Sequence, residues 1–387
     1  MYSRYLNFND ILTYRSIFLF GPRQVGKSTF LKTKYPNAKL YNLLQADTFR
    51  ELTSRPEIIR LSLKPDDSLV IIDEIQKLPS LLDEVHSIIT DRPYIRFILT
   101  GSNARKLKRG DANFLAGRLI KQNMHQLFLP EIKKIKIQEK LTRGGLPAVI
   151  DSAVYDLDLK NYVGIYLKEE ILEEGLTRGI DSFSRFLEVA ALTNTKQINY
   201  TEVGNDTGVP PRTIREYYQI LEDTLLGETL PAFQKTVKRK PVATGKFYFF
   251  DVGVVNSLLK RGYIDEGTEL YGEALEHLIY IELRAYLDYT RSTSMLSYWR
   301  SLSQLEVDFL IDDKIGIEVK SKSRISKRDY KNLLALKEDL PSLRPIVVSR
   351  EKEAWKSPEG VEIIPVNDFL QRLWSGQILS QPSLIKL

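Results

Sequence analysis

An α/β protein of several domains is the fold class this sequence predicts, and three stretches predict it. A strand, a phosphate-binding loop and a helix follow one another at 16–34. A wholly apolar strand ends in Asp73-Glu74, and acidic residues alternate with apolar ones across a hairpin at 305–319. A chain of 387 residues exceeds one typical core, so two or three domains are expected. With 43% apolar and 27% charged residues the chain reads as an ordinary globular protein. No apolar run approaches the roughly eighteen residues of a membrane span. The start, Met1-Tyr2-Ser3-Arg4-Tyr5, lacks an apolar signal core, so the expected location is the cytoplasm. The absence of cysteine excludes a disulfide framework and zinc–thiolate sites.

The first domain is expected over 1–125. Ser16 to Phe20 reads as the strand that leads into Gly21, Pro22, Arg23, Gln24, Val25, Gly26, Lys27 and Ser28, which fit G-x-x-x-x-G-K-[ST] at every fixed position. A helix is expected from Thr29 to Lys34, with Thr29 counted among the nucleotide-binding residues together with Gly21 to Ser28. In that setting backbone N–H groups cradle phosphates, Lys27 reaches the β/γ-phosphates of ATP and Ser28 ligates Mg²⁺. Leu69 to Ile72 reads as a strand buried on both faces, as in a parallel sheet. Asp73 at its end is placed to hold the Mg²⁺ and Glu74 to polarise an attacking water; a plain helix cap is the alternative for Asp73. A third strand, Phe97 to Leu99, brings Thr100 and Ser102 beside them. Such strand ends resemble the AAA-type branch of P-loop proteins, in which an extra strand separates the loop strand from the Asp-Glu strand. Arg118, in Leu115 to Arg118, is the candidate arginine finger, with Arg105 and Arg109 as rivals and a surface arginine as the alternative. Such a residue is often supplied in trans, which would require an oligomer.

The middle is expected to be a helical lid or linker, 126–180, and a winged-helix-like domain, 181–240. Arg143 to Pro147 punctuates two helical stretches and resembles the G-x-P element in the lid of STAND ATPases, which implies Pro147 as a contact to the adenine; a plain turn would read the same. A helix is expected from Asp156 to Glu174, ending at Gly175. Ile198 to Leu226 has a helix–turn–helix cadence, with Pro210-Pro211 opening the second helix. Its expected exposed face, Arg212, Thr213, Arg215 and Tyr218, could enter a DNA groove, or the unit could pack only against protein.

The last domain is expected over 241–387. Gly272 to Tyr286 reads as a helix and Leu296 to Arg300 as a strand. Leu305, Val307, Phe309 and Ile311 then share one face of a strand, which leaves Glu306 and Asp308 on the other. Across a turn at Asp312 to Lys314, the next strand turns Glu318 and Lys320 to that second face. The spacing sets Asp308 opposite Glu318, a repulsive pair that a bound divalent cation would relieve, with Lys320 beside it. A helix over Ser326 to Leu336 and a strand over Pro345 to Ser349 complete the order. Glu276 on the first helix, Asp308, and Glu318-Val319-Lys320 resemble the core of restriction-endonuclease-like nucleases. That resemblance implies Asp308 and Glu318 as metal ligands and Glu276 and Lys320 as catalytic; a retained fold without cleavage is the alternative.

Across nearly its whole length the chain is similar to an AAA-type ATPase family of bacteria and archaea that carries G-P-R-Q-x-G-K-[ST], L-T-G-S, L-A-G-R, G-G-x-P and E-V-D-F with E-x-K. The resemblance implies an ATP hydrolase with Mg²⁺, with ATP and ADP as ligands and Lys27, Glu74, Ser102 and Arg118 as catalytic residues. A homo-oligomer is expected, by default a hexamer, and no membrane partner. Two functions follow. In the first the C-terminal domain engages duplex or branched DNA, with cleavage a separate expectation. In the second a STAND-like switch uses that domain for protein recognition. The net charge of +6 points weakly to nucleic acid, and the clusters at 105–109, 133–136, 238–240 and 320–331 point there more directly.

Overall fold

The computed structural model describes residues 2–102, 117–132, 135–166 and 180–380. The chain forms two compact units, one of residues 1–127 with 221–226 and the other of 128–220 with 227–387. The expected boundaries at 180/181 and 240/241 therefore fall inside a single unit. Arg105 and Arg109, the basic residues at 105–109 and 133–134, and the expected helix stop at Gly175 lie outside the described residues.

The first unit is built on a five-stranded sheet of β1 (Ser16–Phe20), β2 (Lys39–Asn42), β3 (Leu69–Asp73), β4 (Arg96–Gly101) and β5 (Leu119–Asn123), in the order β2-β3-β4-β1-β5. All four pairings are parallel. The apolar runs of β1, β3 and β4 follow from burial on both faces. Val70, Ile72, Phe97 and Leu99 pack with Leu81, Val85 and Ile88 of the helix Leu81–Asp91, all fully buried. Truncating one such aromatic, Phe97→Ala, would cost about 3–5 kcal/mol. Because β4 lies between β1 and β3, the ends of β1, β3 and β4 converge at one edge of the sheet. That edge carries the phosphate loop.

The second unit begins with short helices, Ile137–Arg143, Pro147–Ile150 and Tyr155–Asn161, the last running into a wider π turn over Tyr162–Tyr166. Three helices follow, Ile180–Leu192, Tyr200–Thr207 and Pro211–Asp223. Asn199 caps the second through the Glu202 N–H, and Gly208 ends it at φ 69°. An antiparallel ladder of β6 (Gly227–Leu230) and β7 (Lys246–Phe249) comes next. Tyr218, expected on the exposed face, is 3% exposed and packs edge-on against Phe186 and Phe247. Helical spacing put it beside Arg215, but its ring fills the gap between helices and ladder.

The helix Glu269–Tyr289 then precedes a six-stranded mixed sheet of β8 (Leu296–Arg300), β9 (Glu306–Ile311), β10 (Ile315–Val319), β11 (Arg344–Ser349), β12 (Trp355–Lys356) and β13 (Glu362–Pro365), in the order β12-β13-β11-β10-β9-β8. The helix Lys331–Asp339 joins β10 to β11, and the helix Val366–Trp374 follows β13. Residues 231–245, between β6 and β7, lie along β8. Phe233 N donates to Tyr298 O at 2.7 Å, Val242 N to Arg300 O at 2.9 Å and Leu302 N to Lys240 O at 3.0 Å. Arg239 pairs with Asp339 at 3.0 Å and Glu338 at 2.6 Å. Part of the basic run at 238–240 is thus spent on the chain's own carboxylates.

Candidate functional site

In the first unit the loop between β1 and the helix Lys27–Lys34 needs two left-handed residues, Gln24 at φ 63° and Gly26 at φ 94°. Gly21 is required for a different reason: a Cβ there would fall inside the van der Waals contact of the Met124 carbonyl oxygen. Lys27 is buried at 5% exposure and its Nζ donates to Gly21 O at 2.7 Å and Pro22 O at 3.0 Å. The ammonium therefore sits within the loop whose N–H groups would face phosphate oxygens.

Ser28 Oγ donates to Asp73 Oδ2 at 2.6 Å, and Thr100 Oγ1 donates to Asp73 Oδ1 at 2.5 Å. Both carboxylate oxygens are turned to the sheet edge, so Asp73 does not cap the turn that follows it. A hydroxyl from the first turn of the helix Lys27–Lys34 and a carboxylate from the end of β3 fit Mg²⁺, which takes few protein ligands and keeps water and phosphate oxygens for the rest. Glu74 stands in the left-handed region at φ 63°. Its N–H donates to Thr100 Oγ1 at 2.9 Å, and its carboxylate accepts from Gln76 Nε2 and lies 3.4 Å from Ser102 Oγ. Gln76, itself 3.1 Å from Ser102 Oγ, was not legible as a site residue. Held by two polar groups in a conformation costly for a non-glycine residue, Glu74 is fixed at the sheet edge beside Asp73.

Arg118 lies at the start of β5, where its Nη1 donates to Thr90 Oγ1 at 2.5 Å. With Tyr14, Arg15, Ser16, Pro93 and Arg96 it lines a cavity of about 520 Å³. The strands are parallel, so this is the edge opposite the phosphate loop, about 15 Å away over the length of a strand. Arg118 cannot reach the loop of its own chain. Pro147 opens the short helix Pro147–Ile150 in the second unit. The turn before it is fixed by Gly144 at φ 77° and by Asp251 Oδ2, which accepts from Gly145 N at 2.6 Å.

In the second unit β9 and β10 pair as Ile315↔Ile311, Gly316↔Leu310 and Ile317↔Phe309. The next step of that register sets Glu318 opposite Asp308. There the ladder gives way, and Val319 N donates to Asp308 Oδ2 at 2.8 Å. Glu318 is 3% exposed; Lys320 Nζ reaches its Oε1 at 2.5 Å, and its Oε2 is buried without a hydrogen-bond partner. Glu276, from the helix Glu269–Tyr289, accepts from Tyr248 OH at 2.7 Å and from Lys246 Nζ at 3.2 Å. Lys246 also reaches Glu306 Oε1 at 2.6 Å. The four expected residues thus face one cluster, joined by Lys246, Tyr248 and Glu306.

Burial pushes the Glu276 carboxyl up to about 7, Lys246 pulls it back, and Asp308 adds to the rise. Burial and the Asp308 charge hold Glu318 well above the usual carboxylate range, against Lys320. Burial would lower Lys246, but Glu276, Asp308 and Glu306 outweigh it and keep the ammonium charged. Where a divalent cation is expected to relieve the Asp308–Glu318 repulsion, two lysines of the chain itself, Lys320 and Lys246, also supply positive charge. Among the described residues no group of three or more ligand-type side chains is arranged to hold a metal ion.

Comparisons with known proteins bear on the first unit most directly. Residues 13–133 match a family model described as an AAA domain. Residues 134–264 and 271–369 match two models described as domains of unknown function, DUF8612 and DUF4143. An uncharacterized protein of Haemophilus influenzae is 23% identical over 336 residues, covering 76% of this chain and 80% of that protein. Among solved structures, a signal transduction ATPase with numerous domains and a tetratricopeptide repeat sensor, from Pyrococcus horikoshii, is 14% identical at a TM-score of 0.24. It matches 73% of this chain, which spans only 47% of that protein. The replication initiator DnaA bound to AMPPCP and single-stranded DNA is 15% identical at a TM-score of 0.24, covering 54% of this chain and 82% of that one. At such TM-scores neither fold transfers to this chain. The first unit carries an AAA domain, and no described helix is long and apolar enough to cross a membrane.

Proposed function

We propose that the protein hydrolyses ATP in its first unit and uses that cycle to engage double-stranded or branched DNA with its second. The observation that carries the ATPase reading is the contact of Ser28 Oγ with Asp73 Oδ2, which joins the phosphate loop to the strand bearing Glu74. Lys27 and the loop N–H groups would bind the phosphates, Ser28 and Asp73 would hold Mg²⁺, and Pro147 would contact the adenine. Mg²⁺, when bound, neutralises charge on the phosphates. Glu74 would accept the proton of the attacking water, oriented by Gln76 and Ser102. Arg118 would serve the site of a second copy, which makes the working form a homo-oligomer, by default a hexamer.

For DNA, support comes from the cluster of Glu276, Asp308, Glu318 and Lys320 and from exposed Arg324, Arg328 and Lys331 beyond β10. Asp308 and Glu318 would take Mg²⁺, and Lys320 would stabilise negative charge on a phosphate. Steady-state ATP turnover, measured with and without duplex and four-way DNA, tests this. Turnover raised by DNA, together with salt-sensitive binding, supports it. Negligible DNA affinity at low salt in the presence of ATP and Mg²⁺ defeats it.

A second reading, a STAND-like switch whose C-terminal domain recognises a protein and does not cleave, is favoured by one observation. Tyr218, expected to face DNA, is buried at 3% exposure against Phe186 and Phe247, and the backbone of residues 231–245 is bonded to β8. Slow turnover indifferent to DNA, with ADP retained through purification, would select that reading.

A further inference from the structure

The carboxylate cluster of the second unit contains a residue that neither the hairpin nor the helix contributes. Lys246 comes from β7, and its side chain is 4% exposed. Its Nζ lies 2.6 Å from Glu306 and 3.2 Å from Glu276. Two residues on, and on the same face of the strand, Tyr248 OH donates to the same Glu276 oxygen at 2.7 Å. One oxygen of the helix carboxylate is thereby claimed twice from β7. Glu318, paired with Lys320 through one oxygen, keeps its other oxygen buried with no hydrogen-bond partner. Full burial of an unpaired carboxylate oxygen is costly, and such an atom is a place for a cation.

The placement of β7 is enforced from both of its ends. Residues 231–245 run along β8 through the backbone bonds of Phe233, Val242 and Leu302, and Arg239 fastens them to Glu338 and Asp339. Beyond β7, Asp251 is buried and holds Gly145 N and Val254 N. The strand is therefore clamped with Lys246 inside the cluster. The ammonium is a compact point charge on a flexible stem, able to leave by rotation of its own side chain.

We propose that Lys246, held against Glu276 and Glu306, is the resident cation of this cluster, and that its charge keeps a divalent cation out of the neighbouring Asp308–Glu318 site until Lys246 withdraws. This rests on the reading of Asp308 and Glu318 as a cation site. It assigns to β7 the control of that site, and it accounts for a set of nuclease-like residues that does not converge on a metal position in the form described.

The test is a Mn²⁺ titration of the full chain without nucleotide, followed by electron paramagnetic resonance. Lys246→Met is expected to bind Mn²⁺ roughly tenfold tighter than the wild type. Lys246→Arg should behave as the wild type, and Lys246→Met/Asp308→Asn should lose the gain. Should circular dichroism show Lys246→Met unfolded, Glu306→Gln replaces it; it removes the nearer anchor of the ammonium, and a smaller gain in the same direction is expected. Equal affinity in wild type and variant, abolished by Asp308→Asn, overturns the gate and leaves the cation site standing. Absence of any Asp308-dependent binding in every variant overturns both.

Discussion

At the scale of residues, the two units show charge handled in opposite ways. Asp73 is buried but satisfied by two hydroxyl donors, Ser28 and Thr100, which leaves Lys27 to the loop carbonyls. Glu318 is buried and half satisfied. Two expected outcomes belong here. Gln76→Ala frees the Glu74 carboxylate from its donor, so turnover should fall by roughly tenfold while the affinity for ATP stays within about threefold, read from steady-state kinetics and nucleotide binding. His277 supplies a pH effect. Burial pushes it down to about 4, its Nε2–H donates to Phe249 O, and its Nδ1 lies 3.2 Å from Asn194 Nδ2. A depressed folded value means that its contribution is present above the unfolded value near 6.5 and is lost as pH falls towards 4. The loss is on the order of 3 kcal/mol. Urea midpoints of the wild type should therefore fall more steeply between pH 7 and pH 4.5 than those of His277→Gln.

At the scale of elements, glycine punctuation and partner can lie far apart in the chain. Gly144 was legible as a turn, but what fixes it was not: a Cβ at φ 77° would collide with the carboxylate of Asp251, more than a hundred residues on. Gly144→Ala should destabilise the second unit by about 2–4 kcal/mol, seen as a lowered melting temperature, whereas Ala148→Gly, at an exposed helix position, should cost about 1 kcal/mol or less. Legibility elsewhere followed burial. Strands β1, β3 and β4 are covered on both faces, so their apolar runs announced them; β9 and β10 did so through the alternation of Val307, Phe309 and Ile311 and of Ile315, Ile317 and Val319. The half-exposed β2, with Lys39 and Asn42, carried no such run. Strand β7 escaped because a buried lysine reads as a surface one, and its compensation comes from Glu276 and Glu306, which lie 30 and 60 positions further along the chain. Tyr218 failed for the converse reason, since helical spacing gives a face but not its neighbour.

At the scale of the whole molecule, the parallel sheet separates what one active site would need. Lys27, Asp73 and Glu74 lie at one edge and Arg118 at the other, so a complete site requires two copies if Arg118 is the finger. Lys27→Ala and Arg118→Ala chains should each be inactive alone, and mixing them should restore turnover through sites that pair an intact loop with an intact arginine; no recovery on mixing would assign the finger elsewhere. The net charge of +6 is modest for a chain of this length, and Arg239 is bound to the chain's own acids, so any affinity for DNA must come from local surfaces such as Arg324, Arg328 and Lys331. The most direct test of the account is ATP binding and turnover by Glu74→Gln in the full chain. The expected result is turnover reduced by about a hundredfold or more with ATP affinity within about threefold of the wild type, since Glu74 acts on water and Lys27 on phosphate. Unchanged turnover, or binding and turnover lost together, would contradict it.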